Sequence, residues 1–169
     1  MRFEVAHEFD IPLDALELAV LSPSLVDRMS AHLVSIETVR QTEHKFDGKS
    51  LERVWAYQAN VKLPTFARAY VTKEMCAWVE RSVYRLDDHS SEWTIHPLAR
   101  PEWQKYFNAS GTYRLTSLPG GRTRRVVEGE LALHVPTGFR HLGERLILSE
   151  MKKNLDAEAA TLRAVATLE

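Results

Sequence analysis

The last third of the chain limits its fold most: a hairpin linked by Pro119-Gly120-Gly121, then one long helix expected from about Phe139 to Leu168. Apolar residues fall at Leu148, Met151, Leu155, Ala159, Leu162 and Ala166, three and four apart, so they share one stripe. A helix with a single apolar stripe takes most of its stability from what it packs against. Almost everything regular before it reads as strand, so the helix is expected to close over a sheet. Bulky Leu148, Met151 and Leu155 hold the first half of the stripe, and small Ala159 and Ala166 the second. The second half is expected to clamp, and the first to line whatever space the sheet leaves.

The strands announce themselves by alternation. Residues 2–10 place Phe3, Val5, His7 and Phe9 on one face and Arg2, Glu4, Glu8 and Asp10 on the other. Pro12 suits the first turn of a helix carrying Leu13, Leu16, Ala19 and Val20. Ser22-Pro23-Ser24 breaks that helix and offers a cap for a second, Leu25 to about His32. Residues 33–46 and 51–63 flank Asp47-Gly48-Lys49-Ser50 as a hairpin, with Trp55, Tyr57, Ala59, Val61 and Leu63 sharing a face. Pro64 stops the second strand, and 65–76 fits either a short helix or an extended segment. Segments 78–86, 91–97, 106–118 and 122–135 read as further strands. The expected order is strand, two short helices, six strands and one long helix: an α+β arrangement of about seven strands.

Composition sets bounds on function. The chain has 169 residues, 44% hydrophobic and 27% charged, enough for one domain, 1–169, with its own core. A net charge of −1 argues against nucleic acid as a partner. A lone cysteine, Cys76, allows no internal disulfide and suits a reducing compartment. The first residues carry scattered charges and no apolar run like that of a signal peptide. No apolar run is long enough to span a membrane. The expectation is a cytoplasmic protein.

Strand, helix pair, antiparallel sheet and terminal helix together resemble the START-like or Bet v 1-like (SRPBCC) helix-grip superfamily. Asp10-Ile11-Pro12-Leu13 looks like that superfamily's turn into its first helix. The phrases LPTFARAYV, WVERSVYRL, GTYRL, TRRVVEGELALHVP and GERLILSEMKKNLDAEAATLR look like the DUF2505 type, and more distantly like PRELI phospholipid carriers. The resemblance implies a curved antiparallel sheet gripping the C-terminal helix around an apolar tunnel for a lipid or similar hydrophobic molecule. Members of the superfamily include carriers, cyclases, hydrolases and chaperone co-activators, so fold alone leaves function open between a carrier, a cyclase- or hydrolase-like enzyme using the same cavity, and a protein-interaction module whose cavity has collapsed into core. The expected walls are Phe3, Val5 and His7 on the first strand, Trp55, Tyr57 and Ala59 on the third, Tyr113, Leu131 and Leu133 later, and Leu148, Met151 and Leu155 on the helix.

Individual polar residues carry competing readings. His7, on an apolar face, is either a head-group contact or general base, or a core histidine satisfied by a neighbour. Arg53 shares a face with Trp55 and Tyr57; since a buried guanidinium needs a partner, it is either at the rim, the expected place, or paired with a carboxylate or an anionic ligand. Glu80 shares parity with Trp78, Ser82 and Tyr84, while Val79 and Val83 compete for the inner face, so its side is undecided. With Glu92 it makes either a pair of solvated carboxylates or an acid-base pair. Arg122, Arg124 and Arg125 are expected to form a solvated hairpin tip, the alternative being a basic edge with Lys105 and Arg114 for phosphate or lipid head groups. Glu92 with His96, and Glu130 with His134, lie about 13 Å apart on extended strand, too far to share one ion. No metal, cofactor or catalytic residue is therefore expected. The 64–77 segment, with Phe66 and Tyr70 beside Lys62, Arg68 and Lys73, suits either a lid making transient membrane contact during ligand exchange or a plain connection.

Overall fold

Seven antiparallel strands form one curved sheet in the order β1-β7-β6-β5-β4-β3-β2 in a computed structural model that describes residues 1–60, 62–135 and 138–167. The strands are β1 (Arg2–Phe9), β2 (Ile36–Phe46), β3 (Ser50–Ala59), β4 (Ala77–Arg85), β5 (Ser90–Pro97), β6 (Phe107–Leu118) and β7 (Arg122–Leu133). Helices α1 (Leu13–Leu21) and α2 (Leu25–Ser30) follow β1, and α4 (Arg140–Ala166) ends the described chain. The ambiguous 65–76 segment resolves into a single turn, α3 (Thr65–Arg68), and a 3-10 turn at Lys73–Cys76. This is the helix-grip fold. The expected helix end at Leu168 and the face position of Val61 lie outside the described residues.

Local chemistry explains where the strands bend and turn. Gly48, Gly120 and Gly121 take positive φ at two hairpin tips, where a side chain would be strained. Register shifts between Ile36 and Thr38 and between Gln41 and Glu43 increase the twist of β2. Gly111 and Gly129 pair across β6 and β7, and a Cβ on Gly129 would meet the Trp93 ring at 2.6 Å. The two glycines thus make a seat for an indole on the concave face. Phe3 flanks it, its ring 6.1 Å from that of Trp93.

The dense core sits at the hairpin end. Leu16, Ala19, Val20, Leu25 and Met29 of α1 and α2 meet Phe9, Leu51, Tyr84 and Leu115 of the sheet there, with Leu162 and Val165 of α4. Along α4, Ala157, Ala159, Thr161, Leu162 and Val165 are buried, whereas Ile147, Leu148, Met151 and Leu155 are half-buried. The clamp expected from the small residues is therefore where it was placed. Close backbone approaches of α4 are to α1, α2, β1 and β7.

Candidate functional site

Register settles which residues face the helix. Across β3 and β4, Trp55 pairs with Glu80, Tyr57 with Trp78 and Arg53 with Ser82. Glu80 therefore lies on the concave face with Trp78, Ser82 and Tyr84, while Glu92 points outward to Arg85 at 3.1 Å. The Glu80–Glu92 pair is not formed, and the carboxylate that Glu80 feels is Glu158 of α4. Desolvation pushes the Glu80 carboxyl up to about 7; Glu158 adds to this, while Arg53 and Arg125 oppose it. No hydrogen bond from the described residues helps to stabilise its ionised form. Burial likewise raises the phenols of Tyr57 and Tyr113 well above their usual range.

Arg53 is buried, not at the rim: it is 4% exposed. Its guanidinium lies 4.5 Å from the centre of the Trp55 ring and donates to the Val20 carbonyl at 3.0 Å. That carbonyl belongs to the last turn of α1, where a cation complements the helix dipole. The Arg53 Nε is buried without a partner among the described residues.

Arg125 also leaves the solvated cluster in which its neighbours Arg122 and Arg124 remain. It is 1% exposed, donating to Glu158 at 2.7 Å and to the Leu155 carbonyl at 3.0 Å. Its Nη2 lies 3.3 Å from His7 Nδ1, which must accept because a guanidinium only donates. His7 Nε2 then carries the proton and donates to Asp156 Oδ1 at 2.8 Å. Burial, first of all, lowers the His7 pKa, with Arg125 acting in the same direction and Asp156 opposing. His7 is thus satisfied by neighbours, the plainer of its two readings.

The other expected wall residues divide by position. Trp55, Tyr57, Ala59, Tyr113 and Leu131 are buried on the sheet, and Val5, which pairs with Val127, is half-buried beside them. Leu133, Leu148, Met151 and Leu155 are half-buried. Phe66 and Tyr70 stand apart at the end opposite the hairpin tips, Tyr70 being 73% exposed. Phe66 stacks on Phe139 just before α4, rings 5.4 Å apart, joining the β3–β4 connection to the helix entrance. Beside this segment a cleft of about 270 Å³ is lined by Glu37, Ala59, Asn60, Leu63, Thr72, Lys73 and Cys76. Glu158 escaped sequence reasoning, although its spacing from Leu155 and Leu162 puts it on the helix stripe. A charged residue on an apolar stripe was the available signal.

No family model and no curated protein matches the chain. Solved structures do. TTHA0849 from Thermus thermophilus is 15% identical at a TM-score of 0.63, with 99% of this chain and 98% of that one covered. The Zhui aromatase/cyclase from Streptomyces sp. R1128 is 12% identical at 0.67, covering 99% and 93%. Ara h 8.0201 is 11% identical at 0.57, covering 100% and 99%. At these identities the likeness establishes the fold.

Proposed function

We propose that this protein binds or carries a hydrophobic ligand, a lipid, between the concave sheet and the first half of α4. One observation carries the reading. Helix α4 approaches β1 and β7 closely and makes no comparable approach to β3 or β4 among the described residues, while its bulky first-half residues stay half-buried. A site of this kind is mainly apolar, with a few polar groups that orient the ligand. Trp55, Tyr57, Tyr113 and Leu131 with Leu148, Met151 and Leu155 supply the apolar part, and Arg53 and Glu80 the polar part. The fold shared with an aromatase/cyclase is consistent with binding of a hydrophobic ligand. Kinship with the DUF2505 type or PRELI carriers, and one ligand-binding domain spanning 1–169 in the cytoplasm, belong to the same proposal.

Ligand exchange takes place at the end away from the hairpin tips. Exposed Phe66, Tyr70, Met75, Leu98, Tyr106 and Phe139 gather on its connections beside Lys73, Arg100, Lys105 and Arg140. Apolar side chains set among cations suit transient contact with a membrane surface. Extracting the purified protein into organic solvent and analysing the extract by mass spectrometry tests the reading. A co-purifying lipid, and transfer of labelled lipid between vesicles, are expected; a ligand-free protein that transfers none overturns it.

Glu80 favours a second reading, a cyclase- or hydrolase-like enzyme using the same site. Its carboxyl, poised near neutrality in a desolvated wall, suits general acid-base work. His7, bound to Asp156 and Arg125, is not the base in that case. Turnover of a carbonyl substrate that disappears in Glu80→Gln would choose this reading.

A further inference from the structure

Two buried arginines face the same interior with different partners. Arg125 has a carboxylate, Glu158, at 2.7 Å. Arg53 is almost as deeply buried, yet among the described residues it has only one carbonyl and the face of Trp55 and no carboxylate; the Nε of both arginines is unpartnered there. A buried guanidinium without an anion is costly, because desolvation is offset only by pairing and hydrogen bonds. Glu80 sits diagonally from Arg53 across the β3–β4 ladder, one pleat along, and is not in ion-pair contact with it. Such diagonal neighbours are roughly 7–8 Å apart at Cα, within reach of a small group held between two long side chains.

We propose that the ligand is a hydrophobic acid whose carboxylate is held between Arg53 and Glu80, with Glu80 taking up a proton as it binds. The inference rests on the hydrophobic-ligand reading above and names the chemical class. Charges facing this space come from every element around it: Arg53 on β3, Glu80 on β4, Arg125 on β7 and Glu158 on α4. Tyr57 and Tyr113 stay neutral there, because burial raises both phenols. On α1, Glu17 is engaged by the Tyr84 hydroxyl at 2.6 Å and by His89 at 2.8 Å. On β1, His7 is neutral and bonded to exposed Asp156. With Glu80 ionised, the two arginines balance the two glutamates. An entering carboxylate would add one negative charge too many, and protonation of Glu80 removes it. The new O–H then donates to one ligand oxygen while Arg53 donates to the other. An amine would be repelled by Arg53, and an ester would bring it no charge.

Fluorescence titration with cis-parinaric acid and with its methyl ester tests this. Near pH 6.5 the acid is expected to bind about tenfold tighter than the ester, a preference lost in Arg53→Gln and largely kept in Arg53→Lys. Above about pH 7 the acid's affinity should fall roughly tenfold per pH unit, as for uptake of one proton, and Glu80→Gln should remove that slope. Equal binding of acid and ester by the wild-type protein overturns the inference and leaves the hydrophobic-ligand reading standing. Failure of both probes, with no lipid in the solvent extract, overturns both. If Arg53→Gln does not fold, the wild-type preference and its pH slope decide.

Discussion

On the β1–β7 flank of the concave wall, Arg125 donates to Glu158 and to the Leu155 carbonyl, and its neighbour His7 donates onward to Asp156. On the β3–β4 flank, Arg53 has one carbonyl and one ring face, and Glu80 receives no hydrogen bond from the described residues. Arg53 and Arg125 are buried alike and, among the described residues, each leaves its Nε without a partner, but only Arg125 has a carboxylate at ion-pair distance. The first set bridges strand to helix and pins α4 at Leu155–Glu158, so its polar groups serve the fold. The second set holds a buried guanidinium with no carboxylate at ion-pair distance among the described residues, which weakens the fold.

Arg125→Met gives the largest expected effect on this contrast. Removing the buried guanidinium leaves the half-buried Glu158 charge without its partner, which should cost about 3 kcal/mol in urea unfolding. A loss below about 1 kcal/mol would mean that the pair does not hold α4. On the other flank, Glu80→Gln should stabilise. The Glu80 carboxyl rises in the folded state from 4.5 to about 7, so its favourable contribution is complete below 4.5 and lost as pH climbs through 7. The variant should therefore match the wild type at pH 4 and exceed it by up to about 3 kcal/mol at pH 8. Equal stability at pH 8 would put Glu80 in a solvated site.

His7 titrates with the opposite sign. Its folded pKa is depressed below 6.5, so its contribution is present above that value and fades as pH falls through the lower, folded one. His7→Gln should flatten the stability profile on the acid side of 6.5, by less than Glu80→Gln changes the alkaline side. Denaturant midpoints taken across that range measure it, and an unchanged profile would mean that the His7–Asp156 bond does not help to hold α4. The smallest effect belongs to the stacked rings at the far end. Phe139→Ala should cost about 1 kcal/mol or less, because both rings are partly solvated, while hastening release of a bound fluorophore in stopped flow.

Much of the fold was legible because burial imposes a period. Alternation marked β1 and β3, and three-four spacing marked α4, with small residues correctly placing its clamp. Particular polar residues were harder to read. In β4, Trp78, Ser82 and Tyr84 compete with Val79 and Val83, so both faces are apolar enough to be inner. Only pairing with Trp55 and Tyr57 assigns Glu80. Arg125 was read from its nearness to a hairpin tip, yet Thr123, Arg125, Val127 and Leu131 alternate onto one face, which was the better signal. Arg53 was placed at the rim because no partner was visible in sequence. The Val20 carbonyl lies 33 residues away.

The sequence alone determined the order of strands and helices, the stripe on α4 and the small residues that let its second half approach the sheet. Each follows from chemistry local to one element, where period and residue size decide. Tertiary structure decided which charges meet: Arg125 with Glu158, His7 with Asp156 across 149 residues, and Glu80 near Glu158, Arg53 and Arg125 but, among the described residues, in ion-pair contact with neither arginine. Those outcomes depend on strand register and helix docking, and a slip of one residue turns every side chain of a strand to the other face.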